Sequence, residues 1–170
     1  MNSIGHPGEL DDIEKASTLL LSIPETGEAL DARARLLGWG LAQLGDQEPD
    51  RYYKVAAPQF LGSKPNQFSW CGVFCLAGLL ENYIAPADWQ WETGLGFVHR
   101  LTMHARPQAP GDIVVFPGKW HHAIVRSWGE TRLCTIDGNV LRAPREGVAE
   151  CERRISDAYG FYSIADLLTP

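Results

Sequence analysis

Pro110-Gly111-Asp112-Ile113-Val114-Val115-Phe116-Pro117-Gly118, then His121-His122-Ala123-Ile124-Val125-Arg126-Ser127-Trp128, then Gly129-Glu130 and Thr131 to Asp137: this stretch sets the fold class. Pro110-Gly111-Asp112 reads as a turn into a compact β-prone run over 113–116. Pro117-Gly118 turns the chain again, and 121–128 alternates as a second strand. Gly129-Glu130 is a two-residue hairpin signal that leads into a third strand over 131–137. A last β segment fits Gly160 to Ile164.

Upstream the period changes from two to helical. Leu30, Ala34, Leu37, Leu41 and Leu44 recur at steps of four and three, which predicts one buried stripe of an amphipathic helix closed by Gly45 at C′. Residues 46–68 form a long connection with Pro49, Pro58, Gly62, Pro65 and Asn66 spread through it. A second helix starts at Ser69-Trp70-Cys71, with Ser69 as N-cap, and carries Val73, Leu76, Ala77, Leu80 and Ile84 at helical spacing until Pro86 ends it. A Trp/Gly-rich stretch over 88–97 carries no clear signal, and 98–105 fits a short helix or strand. Helices first and an antiparallel sheet afterwards make an α+β domain. Residues 1–27 read as an N-terminal extension with a short helix around Asp12 to Ser22, and 28–170 as one domain.

Composition bounds the function. The chain has 170 residues, 45% hydrophobic and 21% charged, with net charge −6. Those values suit one globular domain and argue against a general nucleic-acid binder, which carries a basic excess. No apolar run approaches the ~20 residues of a membrane span, so no membrane insertion is expected. Leu19-Leu20-Leu21 follows Glu9, Asp11, Asp12 and Glu14 rather than a positive region, so synthesis in the cytoplasm without a cleaved signal is expected.

Four cysteines do not form a disulfide or zinc framework: Cys71 and Cys75 lie one helical turn apart, while Cys134 and Cys151 are isolated. A thiol in the first turn of a helix meets unpaired N–H groups and the positive end of the dipole, which favour its thiolate. That selects Cys71 as the reactive group and leaves Cys75 as a core residue. A reactive thiol needs a base, and His121 and His122 open a strand with side chains on opposite faces. Ala123 and Val125 follow on the His121 face, small and apolar as where a sheet packs on a helix, and this parity selects His121. The imidazole then needs a third group, and Asp137 or Asn139 at the end of the partner strand can supply it. Composition alone would make Asp137-Gly138-Asn139 a turn.

Four blocks in order, Ser69-Trp70-Cys71-Gly72-Val73-Phe74, Pro110-Gly111-Asp112-Ile113-Val114-Val115-Phe116, His121-His122-Ala123-Ile124-Val125 and Ile136-Asp137-Gly138-Asn139, resemble the CHAP family of cysteine, histidine-dependent amidohydrolases and peptidases. That family is related to the NlpC-type cell-wall peptidases. The resemblance spans roughly residues 28–140. It implies a papain-like cysteine hydrolase fold, with N-terminal helices packed on an antiparallel sheet. It also implies a catalytic Cys71, His121 and Asp137, and a peptidoglycan peptide as substrate. His122 replaces the apolar residue usual after the histidine. Trp70 stands where the family often has Gln, so Gln67 and Asn66 upstream become candidates for the oxyanion donor, beside Asn139 as a candidate for an orienting role. Trp70 and Trp120, each beside a proposed catalytic residue, are the substrate-groove candidates.

His99 and His104 lack the His-Glu-x-x-His pattern, and no nucleotide-binding glycine pattern occurs, so no metal or cofactor is expected. The missing signal fits a phage-type lysin, or a secreted antibacterial effector with an immunity or delivery partner acting in the periplasm or cell wall. Two rival expectations are a CHAP-like binding module without turnover, and a cysteine peptidase or amidase acting on an intracellular substrate.

Overall fold

A four-residue run buried at every position, as Ile113–Phe116 is, belongs to a strand whose sheet is covered on both faces. The computed structural model describes residues 27–61, 70–85, 102–117, 121–142 and 145–168, and there the run is the third strand of a six-stranded antiparallel sheet. The strands are β1 (Met103–His104), β2 (Ile113–Phe116), β3 (His121–Trp128), β4 (Arg132–Arg142), β5 (Arg145–Arg154) and β6 (Gly160–Tyr162), in the order β1-β6-β2-β3-β4-β5. The helices are α1 (Gly27–Ala42), α2 (Asp50–Ala56), α3 (Cys71–Glu81) and the short α4 (Ala165–Leu168). The architecture is α+β, with helices laid on an antiparallel sheet. Among the described residues no helix is long and apolar enough to cross a membrane. The expected helix over 12–22, the stretch 88–97, Ser69, Asn66, Gln67 and Trp120 lie outside the described residues.

The apolar core lies between helices and sheet. It joins Leu36, Tyr52, Trp70, Phe74, Leu76 and Leu79 to the sheet residues Ile113, Val115, Ile124 and Ile136. A smaller core of Val114, Phe116, Ala123, Val125, Leu133 and Phe161 fills the opposite face, capped by Ile155 and Ala158 from the turn after β5.

The stripe expected on the first helix is corrected. Leu30, Ala34, Leu41 and Leu44 are exposed and Leu37 is half-buried; the inward face is Ala29, Ala32, Arg33, Leu36 and Gly40. Close approach decides this. A Cβ on Gly40 would meet Ile124 at 3.1 Å and Ile136 at 3.3 Å, so a leucine there would hold the helix off the sheet. Arg33 goes inward because Asp112 waits for it, at 2.9 Å. Gly45 does take positive φ just beyond the helix.

Three further readings change. The parity argument put the His121 face against the helices, whereas Ile124, which shares parity with His122, packs there, and Ala123 and Val125 belong to the second face. A bulge between Val125 and Ser127 also moves Trp128 to that second face. The hairpin loop after β3 has two residues, as expected, but is shifted by one: Trp128 pairs with Leu133 and the Gly129 N–H donates to the Arg132 carbonyl at 2.9 Å, which leaves Glu130-Thr131 as the loop. Asp137-Gly138-Asn139 is not a turn: β4 runs through it with a bulge between Asp137 and Val140, and Asn139 adopts φ 62°. Asn tolerates that left-handed geometry better than most residues.

Candidate active site

Cys71 is the first residue of α3, with Trp70 at the N-cap making no side-chain cap hydrogen bond. The cap expected from Ser69 is thus replaced by a start one residue later, and the Cys71 amide stands among the first-turn N–H groups that have no partner within the helix. The helix is buried almost all round because it is the central element between α1, α2 and the sheet.

Gly138 brings that helix to the triad strand. A Cβ there would lie 2.7 Å from the Phe74 Cβ and 2.9 Å from the Trp70 ring. Gly138→Ala therefore pushes the first turn of α3 away from β4. The expected cost is roughly 1–3 kcal/mol, the range for overpacking a full site, read as a lower urea midpoint. An unchanged midpoint would mean the contact is slack.

His121, at the start of β3, donates from Nε2 to Asp137 Oδ2 at 2.5 Å. The Cys71 side chain also hydrogen-bonds to the imidazole. Cys71, His121 and Asp137 therefore meet as a chain, sulfur to imidazole to carboxylate. Burial alone would lower the His121 pKa; the hydrogen bonds to Asp137 and Cys71, and the charges of both, outweigh it and raise it to about 9. Burial pushes Asp137 up, but hydrogen bonds from His121 and Arg153 and their charges hold its carboxyl below the ordinary value. At neutral pH the cluster thus holds imidazolium and carboxylate, a state in which a thiolate at Cys71 is favoured. Burial raises the Cys75 thiol well above its ordinary value, with the charges of Cys71 and Asp137 adding to that, so it stays neutral.

Exposure differs along the chain of groups. Cys71 is 1% exposed and Asp137 is fully buried, whereas the His121 side chain is 23% exposed. His122 is buried and on the face away from His121.

Two residues that the sequence reading missed complete the cluster. Arg153 on β5 donates from Nη2 to Asp137 Oδ2 at 2.5 Å and from Nη1 to Oδ1 at 3.2 Å. Thr135 accepts from Arg153 Nη1 at 2.7 Å and donates to Asp137 Oδ1. Charged residues crowd β5 and hide its strand character. One signal was available: in the β5 alternation Ala149, Cys151 and Arg153 share a face, and a lone arginine beside two small residues implies a buried partner. Tyr53 of α2 is a further neighbour, its phenol raised by burial and by the charge of Cys71.

The remaining candidates fare differently. Trp70 is corrected: it is 1% exposed and stacked on Tyr52 at 5.6 Å, so it belongs to the core and cannot line a groove. Asn139 is half-buried in the bulge, and the ring nitrogen it was a candidate to orient is bonded to Asp137 instead. Gln67 and Trp120 are outside the described residues. A groove of about 1010 Å³ opens between Arg106, Glu130, Arg132, Glu152, Arg153 and Asp157; it reaches the triad only through Arg153. Among the described residues no group of three or more His, Cys, Asp and Glu side chains could hold a metal.

No family model, no curated protein and no solved structure matches this chain.

Proposed function

We propose that this chain is a cysteine hydrolase of the CHAP kind that cleaves an amide bond of peptidoglycan, as amidase or endopeptidase. The observation that carries the reading is the unbroken contact from Cys71 through His121 to Asp137, with the sulfur on the first residue of a helix. The peptidoglycan substrate, the papain-like fold and action in the periplasm or cell wall rest on the motif resemblance.

The chemistry follows from the arrangement. The Cys71 thiolate attacks the amide carbonyl carbon, and the oxyanion that forms is stabilised by the Cys71 backbone N–H. His121, as imidazolium, gives its proton to the leaving amine nitrogen as the C–N bond breaks, leaving a thioester. Water, losing a proton to His121, then attacks the thioester and releases a carboxylate and the thiolate. Asp137 keeps one tautomer of the ring throughout.

The buried state of Cys71 favours a second reading, a module with this constellation and no turnover, since a substrate carbonyl must reach a thiol that is 1% exposed. Digestion of purified sacculi separates the two, and product masses identify the bond. Soluble fragments are expected, and their absence from every wall type tested would reject the hydrolase.

The pH profile has a determined sign. Activity requires the proton on His121, so the rate falls on the alkaline side through about pH 9, not near the ordinary imidazole value of ~6.5. The same shift acts on folding. A raised folded pKa contributes stability that is complete below ~6.5 and is lost as pH rises through about 9. Initial rates of fragment release between neutral and strongly alkaline pH check this. An alkaline limb at the ordinary histidine value would contradict the ion-paired dyad.

A further inference from the structure

We propose that Arg153 is a positioning residue for His121: its guanidinium fork fixes the Asp137 carboxylate, and through it the tautomer and orientation of the ring that serves Cys71. This rests on the thiol-hydrolase reading of the same site.

The geometry is that of a clamp. Both carboxylate oxygens of Asp137 accept from Arg153, at 2.5 and 3.2 Å, while Nη1 also donates to Thr135, whose hydroxyl returns to Oδ1. A planar fork of this kind fixes direction as well as charge. The guanidinium is itself held, lying over the Phe116 ring at 4.7 Å, and Phe116 is the cross-strand partner of His121. Four strands thereby converge on one carboxylate: β4 carries it, β3 brings His121, β5 brings Arg153, and β2 supports the guanidinium.

Charge gives the clamp a purpose. Asp137 is fully buried, and a buried carboxylate without a cation is costly. His121 supplies a cation only while it keeps its proton, and the cycle takes that proton away. Arg153 never loses its own. Asp137 therefore stays compensated when His121 is neutral, and has no reason to draw the proton off the ring. The titratable groups around it are His121 from β3, Arg153 with Cys151 beside it from β5, and Cys71 and Cys75 from α3. With Arg153 removed, burial is opposed by His121 and the Thr135 hydroxyl without the guanidinium charge, and the pH at which Asp137 takes a proton rises.

The test uses the full chain without substrate. Carboxyl carbons of ¹³C-aspartate and ring nitrogens of ¹⁵N-histidine are followed by NMR against pH in wild type, Arg153→Met and Arg153→Lys. In parallel, alkylation of Cys71 by iodoacetamide is quantified by peptide mass spectrometry. In wild type Asp137 stays ionised below the ordinary carboxylate value of ~3.9. In Arg153→Met its titration moves above that value, the acid limb of Cys71 alkylation moves with it, and alkylation at neutral pH slows by about 10–100-fold, the scale seen for outer-shell partners elsewhere.

Arg153→Lys, which keeps the charge without the fork, restores the Asp137 titration but not the position of the His121 Nε2–H resonance. A folded Arg153→Met with Asp137 and Cys71 titrating as in wild type overturns the proposal. If Arg153→Met does not fold, Arg153→Lys decides: a His121 resonance identical to wild type overturns it. Because no step needs peptidoglycan, a failure of wall digestion leaves this result readable by itself.

Discussion

Cys71→Ala is expected to lower fragment release from sacculi by about 10⁶-fold in kcat, the scale of nucleophile deletion in other hydrolases. The sulfur is the only atom of the protein that bonds to substrate carbon in the proposed cycle, so no neighbour substitutes for it. Cys75→Ala, one turn along the same helix, is expected to retain the wild-type rate, because its thiol is buried and kept neutral. Its cost falls on stability alone, at about 1 kcal/mol for a small core deletion. Between these lies Asp137→Asn, which leaves the ring held but in the wrong tautomer and is expected to cost about 10⁴-fold. Rates on one sacculus preparation, with folding checked by circular dichroism, would rank the three. Equal loss from Cys71→Ala and Cys75→Ala would show that the helix, and not the sulfur, is what activity depends on.

Asp112→Ala is expected to be the most damaging change to stability, at about 3–5 kcal/mol, because it takes the carboxylate away from a buried cation. Arg33 is 3% exposed and donates to Asp112 Oδ1 from Nε at 3.1 Å and from Nη2 at 2.9 Å. The same carboxylate accepts the backbone N–H groups of Gln108 at 2.7 Å, Ala109 at 3.1 Å and Ile164 at 3.1 Å. One side chain thus ties α1, the turn before β2 and the segment leading into α4. Removing it takes the carboxylate from Arg33, which keeps its hydrogen bond to Ser163 at 2.7 Å, and frees three N–H groups. Arg33→Met is milder, since Asp112 keeps its three backbone donors. For a chain of this length the Asp112→Ala loss lowers Tm by on the order of 10 °C. Scanning calorimetry of the two variants tests the order; a larger fall for Arg33→Met would assign the stability to packing of the arginine stem rather than to the charge it meets.

Asp112 also marks how differently the two kinds of information were written in the chain. Pro110-Gly111-Asp112 reads locally as a turn, and it is one. Nothing in those three residues says that the carboxylate recruits an arginine 79 positions earlier. The strands 113–116 and 121–128 were legible at their ends because apolar runs between Gly/Pro turns admit few alternatives. Strand β5 was not, since its charges pair across the sheet with β4 and in the ion pairs Arg126–Glu150 and Arg132–Glu152, partners a linear pattern does not display.

Cys71 and His121 could be singled out in the sequence because thiol chemistry needs few residue types and a helix start is a local signal, whereas the choice of Asp137 over Asn139 came from the motif resemblance. The reason given for His121 was mistaken even so. Its face of the sheet is the one away from the helices, and it meets the α3 start at the strand end, beside the bulge that Gly138 and Asn139 make in β4. Close approach of backbones, which set Gly138 against Phe74 and Gly40 against the sheet, is invisible to hydrophobic periodicity. It also explains why leucines expected inside α1 lie outside. Residue type and local order thus determined most of the helices and strands and which groups are candidates to react. The inward face of α1, the burial of Trp70 and the place of Arg153 were decided only in three dimensions, where close packing and the cost of a buried charge choose among arrangements that are equivalent along the chain.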